Sequence, residues 1–285
     1  MTLKLAVPNK GRLNERAVEL LLKSGLDLGE DWGRKLYVTA KNQDIEVMFV
    51  RAQDIPEFVN SGAVDIGITG IDQVTESGHD LDYILDLEFG YCRLSVAVPE
   101  ASGIKTIGDI PDGTRVATSF PKTAKRYFDS QNKKVKIVVV SGAAEIMPYM
   151  GVSDVIVDLV SSGSTLKTNR LNEIVRIVES QAVVVAKKGK GKNKDVADIV
   201  DSIRSVIAAE KRMYLMADVP KSSLKKVQEI FPGMAGPTVM NIAGREDMVA
   251  IHVVINKNDV YSSVNELKRL GGKGILTLPI DRLVP

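Results

Sequence analysis

The chain has 285 residues, 44% of them hydrophobic and 26% charged, with a formal net charge of +2. That is enough to bury a sizeable core in one large or two to three smaller domains, and it gives no global pull toward nucleic acid or an anionic membrane. A single cysteine, Cys92, and two histidines without partners at ligand spacing, His79 and His252, exclude an intramolecular disulfide, a cysteine zinc cluster and a histidine-based triad. The opening MTLKLAVPNKGRL does not read as a signal peptide, and no stretch approaches the roughly 18 apolar residues of a membrane-spanning helix. The expectation is a cytoplasmic protein with neither nucleic acid nor membrane as partner.

In chain order, LKLAVP (3–8) predicts a short buried strand, and NERAVELLLKSG (14–25) a helix stopped by glycine. LYVTAK (36–41) and IEVMFVR (45–51) predict strands. DIPEFVNSG (54–62) predicts a short helix capped by Asp54, and AVDIGITG (63–70) and CRLSVAVP (92–99) two more strands. The pattern then restarts: strand and turn at 114–121, helix at 122–131, strand at 135–142, a short helical piece at 143–151, a strand at 154–160 and one more within 176–188. This alternation predicts two α/β lobes with largely parallel sheets, residues 1–95 with a return segment 181–210, and residues 96–180. Cys92–Pro99 and Gln181–Lys187 are the candidate crossings between them. After GKGKNK (189–194) and a helix at 195–212, the rhythm becomes β-α-β-β-α-β over 211–285, a ferredoxin-like split unit.

The segment DVIVDLVSSGSTLK (154–167) carries the strongest chemical signal. Asp154 and Asp158 flank an otherwise apolar strand, where an acid is costly unless it has a partner or a task. The loop Ser161, Ser162, Gly163, Ser164, Thr165 follows at once and offers N–H and O–H donors suited to a phosphate. A plain polar turn would also read this way. In VPNKGRLNERA (7–17), Lys10 and Arg12 surround Gly11 at a strand end, where a polyphosphate could lie or where two charges could simply be solvated. Arg51 ends another strand. Asp72 follows the GITG turn and reads either as a helix cap or as a ligand group. Phe120, also at a strand end, could stack on a base or pack in the core. Glu145 opens the short helical piece and reads as a complement to its dipole. No general base is legible.

Taken together, LAVPNKGRL, RAQDIPEFVNSGAVDIGITGID, FGYCRLSVAVP, RVATSFP and DVIVDLVSSGSTLKTNRL resemble, in order and interval, the ATP phosphoribosyltransferases. The resemblance implies the first reaction of histidine biosynthesis: ATP and phosphoribosyl diphosphate give N1-(5-phosphoribosyl)-ATP and diphosphate, with Mg²⁺. It implies a bilobal catalytic part like the type II periplasmic binding proteins, and a C-terminal ferredoxin-like (ACT-like) regulatory domain that binds histidine as feedback inhibitor. It implies homodimers that assemble into homohexamers. By resemblance, Ser161–Thr165 hold the 5-phosphate, with Asp154 and Asp158 near ribose and metal. Lys10, Gly11, Arg12 and Arg51 face phosphates, and Asp72 and Phe120 the nucleotide; many relatives carry tyrosine where Phe120 stands. Asp218 and Thr238 are the candidates for the histidine site. A bilobal small-molecule-binding protein without catalysis is the alternative, disfavoured by the appended small domain.

Overall fold

The computed structural model describes residues 2–30, 32–191, 193–232 and 236–284. The chain divides into a larger unit, residues up to 19 with 26–200, and a smaller one, residues 20–25 with 201 onward. Each is described by itself.

The larger unit begins with β1 (Leu3–Pro8), α1 (Gly11–Lys23), β2 (Tyr37–Thr39), β3 (Ile45–Val50), α2 (Ile55–Ser61), β4 (Ile66–Gly70), α3 (Ile71–Ser77) and β5 (Leu81–Asp86). It continues with β6 (Cys92–Pro99), β7 (Arg115–Thr118), α4 (Pro121–Ser130), β8 (Lys136–Val139), β9 (Val155–Val160), α5 (Ser164–Thr168), β10 (Leu171–Ser180), β11 (Ala182–Lys187) and the start of α6 (Lys194–Glu210), whose residues from 201 on belong to the smaller unit, as do residues 20–23 of α1. Two sheets result. The first has the order β2-β3-β1-β4-β11-β5, the second β10-β6-β9-β7-β8. β1 is buried at five of its six positions and lies parallel to both neighbours, β3 and β4. That fits the near-continuous apolar run expected of a strand covered on both faces.

Four expectations are corrected. The sheets are mixed rather than largely parallel: β11 runs antiparallel to β4 and β5, and β6 antiparallel to β9 and β10. Cys92–Pro99 is a strand of the second sheet, and the chain crosses between lobes at residues 87–91 and at Gln181. The run 176–188 holds parts of two strands in different sheets, β10 and β11. The two crossings bond to each other, Ala182 N–H to Phe89 O at 2.9 Å and Leu87 N–H to Ala182 O at 3.0 Å. Asp54 precedes α2 but its side chain makes no capping bond.

The smaller unit carries β12 (Arg212–Pro220), α7 (Leu224–Ile230), β13 (Thr238–Ile242), β14 (Arg245–Asn256), α8 (Val260–Arg269) and β15 (Lys273–Pro279). The sheet order is β13-β14-β12-β15, every pairing antiparallel, which is the expected split β-α-β-β-α-β arrangement. Its own core packs Leu215, Val219, Val227, Phe231, Ile251 and Leu267. No described helix is long and apolar enough to cross a membrane.

Candidate active site

In both lobes of the larger unit, loops that follow the C-terminal ends of parallel strands carry the chemistry, the usual place for ligands in α/β sheets. Val160 ends β9, and Gly163 then takes φ 79 as the N-cap of α5. A left-handed φ favours glycine, which lets the chain fold back within the loop Ser161–Thr165. Ser162 and Ser164 bring their hydroxyls to 2.9 Å of each other, and Ser162, Ser164 and Thr165 are exposed.

Asp158 lies in β9, three residues before the loop. Its carboxyl accepts the Leu159 N–H at 2.8 Å. Burial pushes its pKa up to about 6, with the nearby Glu145 carboxyl adding to the rise. Glu145 arrives on a short 3-10 turn, Ala144–Ile146, launched from Ala143 at φ 51, a left-handed conformation uncommon for a residue with a Cβ. A role limited to the helix dipole is thereby replaced: Glu145 forms a carboxyl pair with Asp158 beside the loop.

Three expected site residues are elsewhere. Asp154 stands at the opposite end of β9, about 20 Å along the strand from the loop. There Arg115 grips it with Nη2 at 2.7 Å and Nε at 3.1 Å, which holds its pKa below the usual carboxylate range. Asp72 is 5% exposed within α3 and accepts the Ser180 hydroxyl at 2.6 Å and the Gln73 amide at 2.6 Å. It braces the crossing at Gln181 instead of facing a ligand. Phe120 is 5% exposed and packs with Val116, Ala124, Phe128 and Val157, so it belongs to the core of the second lobe.

Lys10, Gly11 and Arg12 are exposed where β1 gives way to α1, and Gly11 takes φ 75. Arg51 is exposed at the end of β3, the parallel neighbour of β1, so the three cations leave adjacent strand ends. A cavity of about 350 Å³ opens at the crossings, lined by Ile71 of the first lobe, by Arg93 and Ser161 of the second, and by Tyr91, Arg176 and Gln181. The Gln181 Oε1 is buried and has no partner among the described residues. Burial, assisted by Asp72, pushes the Cys92 thiol beside it up to about 11, so it is no nucleophile. Tyr91, Arg93, Arg176 and Gln181 were not singled out in the sequence, because their signal is a shared cavity.

The lobes also meet between α3 and α4. Glu76 accepts the Lys122 N–H at 2.9 Å and the Thr123 N–H at 2.8 Å, capping α4 from the other lobe. In return the Lys122 ammonium donates to Ser77 O at 3.1 Å, and Arg126 donates to Thr75 O. In the smaller unit, Asp218 on β12 pairs with Ala250 on β14, and Thr238 on β13 pairs with His252 on β14. Both therefore rise from the sheet face opposite the helices, on either side of β14.

Residues 51–206 match the family model described as ATP phosphoribosyltransferase, and residues 209–282 the one described as HisG, C-terminal domain. A relative named ATP phosphoribosyltransferase from Methanocaldococcus jannaschii is 44% identical over 285 residues, covering 98% of this chain and 99% of its own. Another of that name, from Gemmatimonas aurantiaca, is 43% identical over 292 residues, with 99% and 100% covered. Among solved structures, the ATP phosphoribosyl transferase (HisG:HisZ) complex from Thermotoga maritima is similar at 30% identity and a TM-score of 0.65, covering 72% of this chain and 98% of that chain.

Proposed function

The chain belongs to the ATP phosphoribosyltransferase family and is a pentosyltransferase, and from that premise we propose how its own residues run the reaction. Its substrates are ATP and phosphoribosyl diphosphate, its products N1-(5-phosphoribosyl)-ATP and diphosphate. The Ser161–Thr165 loop takes the 5-phosphate and Asp158 the ribose hydroxyls. Adenine N1 gives its electron pair to the anomeric carbon as the bond to diphosphate breaks, and that bonding pair leaves with the diphosphate. Such a step depends on alignment, exclusion of water and neutralisation of the leaving group. Lys10, Arg12 and Arg51, on adjacent strand ends, supply the cations. The observation that carries this reading is the half-buried Asp158, raised to about 6, in the strand that feeds a loop turned by Gly163 at φ 79.

The residues fit a Mg²⁺ that arrives with the diphosphate. The described residues hold no group of three or more acid, histidine or cysteine ligands, so they form no dedicated protein cage among themselves. Asp158 and Glu145 offer hard oxygen donors, and one or two carboxylates plus substrate phosphates is the common way this ion is held. When bound, the ion would neutralise charge on the diphosphate. Asp154, engaged by Arg115 at the far end of β9, would not reach it.

Histidine is the inhibitor in this reading, with Asp218 meeting its cationic end and Thr238 supplying a hydroxyl. Support comes from the small unit's separate core and its own family match. Dimers that assemble into hexamers, in the cytoplasm, complete the proposal. The test is direct. The purified chain, given ATP, phosphoribosyl diphosphate and Mg²⁺, should form phosphoribosyl-ATP, read by absorbance, with equimolar diphosphate. Absence of both products from folded protein would overturn the assignment.

A further inference from the structure

Arg93 is the second residue of β6, an interior strand of the second sheet flanked by β10 and β9. Its guanidinium is occupied on three nitrogens. Nε donates to Glu173 Oε1 at 2.6 Å and Nη2 to Glu173 Oε2 at 2.5 Å, a two-bond fork, while Nη1 donates to the carbonyl oxygen of Ser161 at 3.0 Å. Glu173 is fixed in turn: Ser95 Oγ donates to Oε1 at 3.0 Å and Arg176 Nε lies 3.4 Å from the same atom. Two irregularities in the pairing of β10 with β6, next to Glu173 and next to Arg176, turn these side chains toward the cluster. The Arg93 and Glu173 side chains are only 18% and 20% exposed, so the pair is less screened by solvent than a surface ion pair.

We propose that Arg93, clamped by Glu173, is a positioning residue for the phosphate loop. A trans peptide is planar, with its C=O and N–H pointing in opposite directions. Pinning the Ser161 carbonyl on the guanidinium therefore turns the Ser162 N–H away from the sheet, outward into the loop. The loop then passes over the guanidinium, and a Cβ on Gly163 would lie 3.9 Å from Nη2. The loop's donors are aimed before the phosphate arrives, which lowers the ordering cost of binding. Arg93 does not serve as the phosphate's own cation, because Glu173 takes its fork and its charge. A lysine cannot replace it: one ammonium cannot hold a bidentate carboxylate and the carbonyl in this planar geometry.

This inference rests on the reading of Ser161–Thr165 as a 5-phosphate site, and the two are separable by experiment. Calorimetry with phosphoribosyl diphosphate, and hydrogen exchange of the peptide spanning 161–165 without ligand, are measured on wild type, Arg93→Lys and Glu173→Gln. Positioning predicts roughly 10- to 100-fold weaker binding in Arg93→Lys, a smaller loss in Glu173→Gln, and faster loop exchange in both, with ATP affinity little changed. Glu173→Gln keeps the shape of the clamp and guards against a misfolded arginine variant. Tighter binding in Glu173→Gln would mean Arg93 is a phosphate ligand held in check, and would overturn the proposal. So would unchanged loop exchange in Arg93→Lys. A wild type that binds no phosphoribosyl diphosphate would remove both readings, whereas a wild type that binds and an Arg93→Lys that binds equally well removes only this one.

Discussion

On the proposed reading, a single titration at Asp158 should touch both stability and activity. Its folded pKa of about 6 exceeds the 3.8 of the free side chain, so the fold prefers the protonated carboxyl. That preference adds stability in full below about pH 4 and is lost as pH rises through about 6, on the order of 3 kcal/mol across the interval. Asp158→Asn should remove this part of the pH dependence, seen as a smaller drop in Tm between pH 4 and pH 7. Activity should run the opposite way, rising through pH 6 as the carboxylate forms. The same variant should lose on the order of 2–3 kcal/mol of transition-state stabilisation, a factor of roughly 30–150 in kcat/KM. Near-normal kcat/KM in folded Asp158→Asn would demote the residue to a structural role. Gly163→Val should bind phosphoribosyl diphosphate weakly while still binding ATP, because valine is strained at φ 79; equal calorimetric affinity would reduce the loop to a turn. Asp158 and the loop were legible because they are contiguous. Asp72 and Asp154 misled because their partners are remote in sequence: Ser180 lies 108 residues from Asp72, and Arg115 39 from Asp154. Phe120 was undecidable, since an aromatic at a strand end reads the same whether it faces a cleft or a core.

At the level of elements, the exchange between α3 and α4 has a measurable strength. Glu76 satisfies two first-turn N–H groups of α4 that its own N-cap position, Phe120, cannot. Glu76→Ala should cost about 1 kcal/mol as a lost cap. It should also loosen the meeting of the lobes, read as a larger radius of gyration in solution scattering without substrates and as recovery of the wild-type value with them. An unchanged scattering profile would confine Glu76 to capping. Most strands were legible from apolar runs, and the reasons for the exceptions are physical. β5 interleaves Asp82 and Asp86 with its apolar residues and is paired only along one edge. β10 carries Glu173, Arg176 and Glu179, and its two irregularities break the alternation a half-buried strand would display. α3 has seven residues, too few for a helical period to stand out. No glycine or proline marks the crossing at Gln181, so two strands read as one.

At the scale of the whole molecule, the smaller unit has a core of its own, and the proposed control by histidine should be separable from catalysis by point substitution. Asp218→Asn and Thr238→Ala, on one sheet face with Ala250 and His252 of β14 between them, should each raise the histidine concentration for half-inhibition about tenfold or more. Initial rates against histidine are the measurement, with the rate at zero histidine as reference. Unaltered inhibition in both variants would move the inhibitor site off this face. Within the larger unit, the crossing at Gln181 fixes what relative motion the lobes can make. Ser180 ends a strand of one sheet and Ala182 begins a strand of the other. One residue contributes two soft torsions, and the neighbouring crossing at 87–91 is bonded to it. Two short crossings bonded to each other favour rotation of the lobes about this line over sliding. With lever arms of about 20 Å, a turn of about 10° at the pivot moves a loop by about 3.5 Å, a hydrogen bond's length. On the proposed reading, a swing of that size changes the distance from the cations of the first lobe to the Ser161–Thr165 loop of the second, and to open it must release the bonds that Glu76, Lys122 and Arg126 make between α3 and α4.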